Sequence, residues 1–322
     1  MTAGQHAPRL PDLLVDRPRL TRRLDETRSL ALVRAPVGYG KTTLVAQWAA
    51  AERAQDTLVA WWRVRPTDGR AATFWGEALQ VLADLGLVDE DQHGARFADP
   101  ARSVERALAG APSPVVVVVD GLHELATSAV DRDLLDLVRH LPGVRLVVSL
   151  RGERQLPEHL YLDLEPVVLD CGDLAFTLEE TRRLAELGQV DLDDAASEEL
   201  HRATSGWPEA TRAVLRRLGG GAATSAPIAR AAVDVATTEY FQSRVLPHGQ
   251  PPEQARLVMA TAVPEELTIE LAERLSGSSA ATTRDLLEAL RKDSVLLTES
   301  RGGQTVYRWP RMSRTTAPPA RW

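Results

Sequence analysis

A single cysteine, Cys171, stands in 322 residues, which excludes an internal disulfide and fits a reducing compartment. Lysine is almost as scarce: Lys41 and Lys292 are the only two, and the other 36 of 38 basic residues are arginine. That skew, together with abundant alanine, points to a GC-rich genome and makes each surviving lysine informative. Excess positive charge is lacking too. A net charge of -7 and a pI near 5.6 exclude a global field that would draw nucleic acid or an anionic membrane. No uninterrupted apolar run approaches the roughly 20 residues that span a bilayer, and the start MTAGQHAPRLPDLLVDRPRL lacks the apolar centre of a signal peptide. No repeat of solenoid period is present. These absences predict a cytoplasmic globular protein without membrane contacts. With 44% apolar and 26% charged residues, the chain can bury a sizeable core divided over two or three domains.

What is present reads as alternating strands and helices. A Pro- and Arg-rich lead-in occupies 1–28. Leu30-Ala-Leu-Val33 has the length and flanks of a buried strand, and from Thr42 the run TTLVAQWAAAERA recurs at helical period with Leu44, Val45, Trp48 and Ala49 on one face. A strand at Leu58–Val64 and a helix at Ala72–Leu85 follow, with Phe74, Trp75, Leu79 and Leu82 as core. Pro114 to Asp120 is so uniformly β-branched that it predicts an inner parallel strand covered on both faces. A helix over Leu134–His140, a buried strand at Val144–Leu150 and a short edge strand at Pro166–Leu169 complete a doubly wound α/β sheet over 29–170.

The texture then turns helical. Thr177-Leu-Glu-Glu180 is a capping box, and a small helical domain with a Gly-rich linker is expected over 171–227. Residues 228–314 offer a helix at Ala229–Leu246, further helices, and two short strands, Val295–Thr298 and Thr305–Arg308, around Arg301-Gly-Gly303. That order predicts a winged-helix-like domain, and 315–322 a disordered tail.

The chemistry centres on Ala35-Pro36-Val-Gly38-Tyr39-Gly40-Lys41-Thr42-Thr43. Placed between a strand and a helix, Gly38 and Gly40 let the backbone turn its N–H groups toward a phosphate at the helix N-terminus. Lys41 can reach the β- and γ-phosphates of ATP. Thr42 can offer its hydroxyl to Mg²⁺, and Thr43 meets the α-phosphate. The strict P-loop pattern asks for glycine where Ala35 stands, so the motif departs by one residue. Asp120 ends the most apolar strand, where ligands bind in open α/β sheets, and can hold Mg²⁺ through water or cap the next turn. Arg151, ending the neighbouring strand, suits either γ-phosphate sensing or a surface ion pair.

Six separated blocks, APVGYGKTTLVAQWA, AWWRVRPTD with Phe74-Trp75, VVVVVDGLHEL, LVVSLR, LAFTLEE and SGWPEATRAVL, run in order from about Arg9 to Tyr307. Together they resemble the large LuxR-type, maltose-regulator-like ATPases of the STAND class, which tolerate a small residue in place of the first P-loop glycine. The resemblance implies an ATP-controlled switch in transcriptional regulation, with ATP favouring self-association and ADP a closed resting form. It also implies that Pro208, in Gly206-Trp207-Pro208, and Arg17 with Pro18 lie near the base, and that Pro36 and Tyr39 belong to the nucleotide loop.

Three departures qualify what is implied. Gly121 stands where many relatives carry a second acid that polarises water. Glu124 is the remaining candidate for that role, or else a solvated loop carboxylate, beside His123. At the end, Tyr307-Arg308-Trp309-Pro310 lacks the expected histidine, so a closed state would be held differently. The helical repeats and helix-turn-helix of relatives are not encoded, so the chain reads as a module of a longer regulator or a form without them. Between Pro251 and Pro310, seven basic residues face nine acidic ones, which opposes DNA binding by this part alone. Slow ATP hydrolysis serving regulation is the leading expectation, with Lys41, Asp120, Glu124 and Arg151 as its residues. A nucleotide-binding scaffold without turnover is the alternative. A metabolic kinase would need an acceptor-site carboxylate or basic lid, and neither is recognisable.

Overall fold

The computed structural model describes residues 7–64, 71–88, 99–125, 129–151, 156, 161–219, 225–240, 261, 266–292, 296–301 and 304–308. Contacts divide the chain into two compact units. One holds Arg17–Ala35 and Gly40–Leu174; the other holds Leu13–Asp16, Pro36–Tyr39 and everything from Ala175.

The first unit is a five-stranded, all-parallel sheet with spatial order β2-β3-β4-β1-β5, built from β1 (Leu30–Arg34), β2 (Leu58–Arg63), β3 (Val115–Asp120), β4 (Val144–Leu150) and β5 (Val167–Leu169). The five valines of β3 and Asp120 are all buried, as the two-sided cover of an inner parallel strand requires. Each valine removed from water contributes about 2 kcal/mol. Helices α1 (Pro18–Asp25), α2 (Lys41–Arg53), α3 (Ala71–Asp84), α4 (Pro100–Ala109), α5 (Ala129–His140) and α6 (Cys171–Leu174) accompany the sheet. The core reading of the aromatics holds: Trp62, Phe74 and Trp75 meet edge to face at centroid distances of 4.9–6.0 Å. Trp48 is fully buried and its indole N–H donates to Asp25 Oδ1 at 2.8 Å, tying α2 to α1.

Two elements of this unit escaped the periodicity reading: α1, inside the stretch read as a lead-in, and α4. Helix α4 is short, but it starts with a legible signal: Asp99 caps it by accepting from Arg102 N–H at 3.3 Å, and Pro100 follows at the first helical position. Helix α5 likewise begins at Ala129, five residues before the expected start.

The second unit contains α7 (Leu178–Leu187), α8 (Asp194–Thr204), α9 (Pro208–Leu218), α10 (Ala226–Tyr240), α11 (Ile269–Ser276), α12 (Ala280–Lys292) and an antiparallel hairpin of β6 (Leu297–Arg301) and β7 (Gln304–Arg308). The capping box is formed as expected, with Thr177 Oγ1 accepting from Glu180 N–H and Glu180 Oε2 from Thr177 N–H, both at 3.1 Å. Helix α10 starts at Ala226, inside the stretch expected as linker, because a proline such as Pro227 costs little in a helix's first turn. Its Ala232 and Val233 join Leu184, Leu200 and Val214 in one apolar core. The hairpin and the two preceding helices close around Leu267, Leu287, Leu296 and Tyr307. Residues 241–246 of the expected helix, Gly220 and Gly221, Val295, Trp309–Arg311 and the tail from Thr315 lie outside the described residues. Among the described residues, no helix is long and apolar enough to cross a membrane.

Gly206 shows why the Gly-Trp-Pro block begins with glycine. Its φ is +70°, its carbonyl accepts from Phe176 N–H at 2.7 Å, and a Cβ there would overlap Phe176 O. Gly206→Ala is expected to destabilise the second unit by roughly 2–4 kcal/mol, read as a lower midpoint in urea unfolding. An unchanged midpoint would show that the turn relaxes freely.

Candidate functional site

The carboxyl ends of β1, β3 and β4 place the chemistry-bearing side chains together. After β1 the chain enters the glycine loop, and Gly40, at φ +76°, forms the N-cap of α2 without any side-chain cap. Gly40 itself has no side chain to offer the first-turn N–H groups of α2, and a Cβ at Gly40 would meet nothing within 4 Å. Gly38 has φ +82°. Both glycines therefore sit in the left-handed region that the sequence reading required of them.

Lys41 opens α2 and is 7% exposed. Its Nζ donates to Ala35 O at 2.7 Å, so the ammonium folds back over its own loop. Burial, and then the nearby Arg151 guanidinium, push its pKa down to about 8, while Asp120 opposes the shift. Those causes put Asp120 and Arg151 within electrostatic reach of Lys41.

Thr42 and Asp120 meet directly. Thr42 Oγ1 lies 3.0 and 3.2 Å from the two carboxylate oxygens of Asp120, although β4 separates β1 from β3 in the sheet. Thr43 follows in the first turn of α2. A hydroxyl beside a buried carboxylate fits Mg²⁺, which keeps several waters and takes one or two protein ligands besides phosphate oxygens. Among the described residues no cluster of three or more His, Cys, Asp or Glu side chains forms a self-sufficient metal cage.

Sequence reasoning missed Ser149. Paired with Asp120 across the β3–β4 register and 2% exposed, it donates from Oγ to Asp120 Oδ1 at 2.5 Å and accepts from Gly121 N–H at 2.9 Å. It locks the Asp120 rotamer and ties it to the next peptide. The only signal was a hydroxyl in the otherwise apolar strand end Leu146–Leu150.

Gly121 has a local reason to replace an acid. At φ +87° it caps the 3₁₀ turn Leu122–Glu124 from the left-handed region, where a side chain is strained. That turn presents Glu124, whose Oε1 lies 3.1 Å from His123 Nε2 and 3.8 Å from Arg151 Nη1. Arg151 therefore does form an ion pair, but its partner is the other candidate acid rather than a remote surface residue.

Arg17 is 5% exposed, and its Nη2 donates to Leu174 O at 2.7 Å, while Pro18 begins α1. In the second unit Pro208 is the first residue of α9, and Trp207 is buried with Ala210 and Tyr39. Pro36 and Tyr39 group with that unit.

Comparison with known proteins gives this geometry its context. Residues 242–316 match the MalT winged helix domain. The serine/threonine-protein kinase PknK of Mycobacterium tuberculosis H37Rv is 29% identical over 96% of the chain and 29% of its own length. The HTH-type transcriptional regulator MalT of Cronobacter sakazakii is 28% identical over 58% of the chain and 21% of its own length. Two solved structures share the fold: the Walker-type ATPase PABY2304 of Pyrococcus abyssi (TM-score 0.61, 13% identity, 98% of this chain and 99% of that one) and the STAND protein PH0952 of Pyrococcus horikoshii (TM-score 0.51, 13% identity, 98% and 44%). The chain is similar to MalT over its winged helix domain and shares its fold with a STAND protein. It spans less than a third of the length of these curated relatives. The winged-helix match overlaps residues 228–314, the stretch read as winged-helix-like from the sequence.

Proposed function

We propose that this chain is the nucleotide-reading module of a MalT-like regulator, binding ATP with Mg²⁺ and changing its self-association between ATP and ADP states. The observation that carries the reading is the meeting of Lys41, Thr42 and Asp120 at the strand ends, directly after a loop whose two glycines have positive φ. In this reading the first-turn N–H groups of α2 orient the polyphosphate, and Lys41 supplies positive charge to its β- and γ-oxygens. Thr42 and Asp120 hold Mg²⁺, which neutralises phosphate charge when bound. Arg151 faces the γ-phosphate from β4. Arg17 and Pro208 serve the base, as the family likeness implies, and the site works in the cytoplasm.

Light scattering during size-exclusion chromatography tests this, with Mg²⁺ and either ADP or a non-hydrolysable ATP analogue. The expected result is larger particles with the ATP analogue alone. Unchanged mass with both nucleotides, once binding is established, would sink nucleotide-controlled self-association by this chain.

One observation favours a second reading, a nucleotide-bound scaffold without turnover. Gly121 offers no carboxylate, and the next acid, Glu124, is engaged by His123 and Arg151. In a single-turnover assay, formation of ADP would remove the scaffold reading, and its absence would remove slow hydrolysis.

A further inference from the structure

The turn after β3 carries its acid back to the strand ends. Gly121 N–H donates to Ser149 Oγ at 2.9 Å, and Glu124 N–H donates to Gly121 O at 2.9 Å. The turn is thus held against β4 without the Glu124 carboxylate. Two side chains stand at one oxygen of that carboxylate: Glu124 Oε1 lies 3.1 Å from His123 Nε2 and 3.8 Å from Arg151 Nη1. All three residues belong to the first unit, which also holds Lys41, Thr42 and Asp120.

The Arg151 contact is loose. At 3.8 Å it is an ion pair but not a hydrogen bond, and it engages one end of a guanidinium whose planar fork matches a carboxylate or a phosphate through two parallel bonds. Arg151 is half exposed, so solvent screens the pair and leaves it weak. The same guanidinium is felt at Lys41, whose pKa it helps to lower. Its charge therefore acts on the group that, in the function proposed above, meets the terminal phosphates. A third phosphate offers Arg151 more negative charge and more acceptor oxygens than Glu124 does, whereas ADP brings none. The ordinary role of Glu124, a partner that steadies the side chains of the turn, predicts an effect on stability alone.

We propose that Glu124 competes with the third phosphate of ATP for Arg151, and is thereby a specificity-determining residue that narrows the preference of the site for ATP over ADP. Binding of ATP trades the Glu124 pair for a phosphate pair, and the lost pair is subtracted from the affinity. ADP leaves the pair undisturbed and bears no such cost. The inference rests on the nucleotide-binding reading of the same site.

The test is calorimetric titration of the full chain, Glu124→Gln, Arg151→Ala and the double variant with Mg-ADP and with the Mg²⁺ complex of a non-hydrolysable ATP analogue. The amide keeps the shape of Glu124 and removes its charge. In the Glu124→Gln chain the analogue is expected to bind about three- to fivefold tighter and ADP to stay within about twofold. The gain for the analogue shrinks below about twofold when Arg151 is already absent, because the two substitutions act on one interaction. Glu124→Ala, measured alongside, is expected to give the same direction, which keeps the test valid if the amide variant folds poorly. Wild type that binds both ligands while Glu124→Gln and Glu124→Ala bind the analogue equally or more weakly overturns the proposal and leaves the proposed function standing. A gain of the same size for ADP, or an equal gain with and without Arg151, overturns it in favour of plain repulsion. A lower melting temperature with unchanged affinities overturns it in favour of the structural role. Absence of nucleotide binding by wild type and variants alike overturns both readings.

Discussion

Lys41→Met is expected to lower ATP affinity by about a hundredfold or more and to leave the chain folded. The loss follows from removing a charge-assisted donor to phosphate, worth roughly 3 kcal/mol where water is displaced. The persistence of the fold follows from the cost of the lysine itself. Its ammonium is 7% exposed, and burial is the first cause of a pKa near 8 against the ordinary 10.5. Below pH 8 the folded state therefore carries a charge that burial and the Arg151 guanidinium disfavour by a net amount on the order of 3 kcal/mol. Methionine fills a similar volume without that penalty, losing only the hydrogen bond to Ala35 O. Circular dichroism should show an equal or higher melting temperature, and calorimetry should show no measurable binding. Wild-type affinity in the variant would mean that the loop does not hold phosphate.

Asp120→Asn is the second large effect, directed at the metal. In the wild type, Thr42 Oγ1 and Ser149 Oγ both converge on the Asp120 carboxylate, and the Ser149 contact spans only 2.5 Å. An amide keeps the shape, but its NH₂ presents donors to one of those hydroxyls, and it loses the negative charge that attracts a hard cation. We expect Mg²⁺ to tighten ATP binding at least tenfold in the wild type and less than about threefold in the variant, since one charged ligand commonly carries a kcal/mol or more. Titrations with Mg²⁺ and with EDTA measure the ratio. An equal Mg²⁺ effect in both proteins would place the ion elsewhere.

Both predictions draw on residues that were legible before the fold was known. A phosphate loop is a local device: two glycines, a lysine and two threonines between a strand and a helix, each required by a backbone angle or a reach of a few ångströms. The five-valine strand is local as well, because continuous β-branched residues can sit only where both faces are covered. The same holds for the Thr177–Glu180 capping box, closed by two bonds within four residues. Helix α4 was legible in principle, through Asp99-Pro100, but its ten residues carry too few apolar positions to announce a period.

Other features belong to the assembled chain. Ser149 looked like a stray hydroxyl in an apolar strand, and only the register that sets it opposite Asp120 makes it the residue orienting that carboxylate. Arg151 had two open readings, and the 3.8 Å approach to Glu124 joined it to the site's remaining acid. Gly121, a departure in the sequence, became a consequence of φ +87° in the turn after β3. Trp207 stands about 170 residues from Tyr39 along the chain, and no local pattern could have brought them together. By itself the sequence determined the α/β class and the glycine loop between β1 and α2, because those depend on backbone angles and periodicity over a few residues, and it singled out Lys41, Thr42 and Asp120. Only the tertiary structure decided who their neighbours are, because strand order and register arise from packing between segments far apart in the chain.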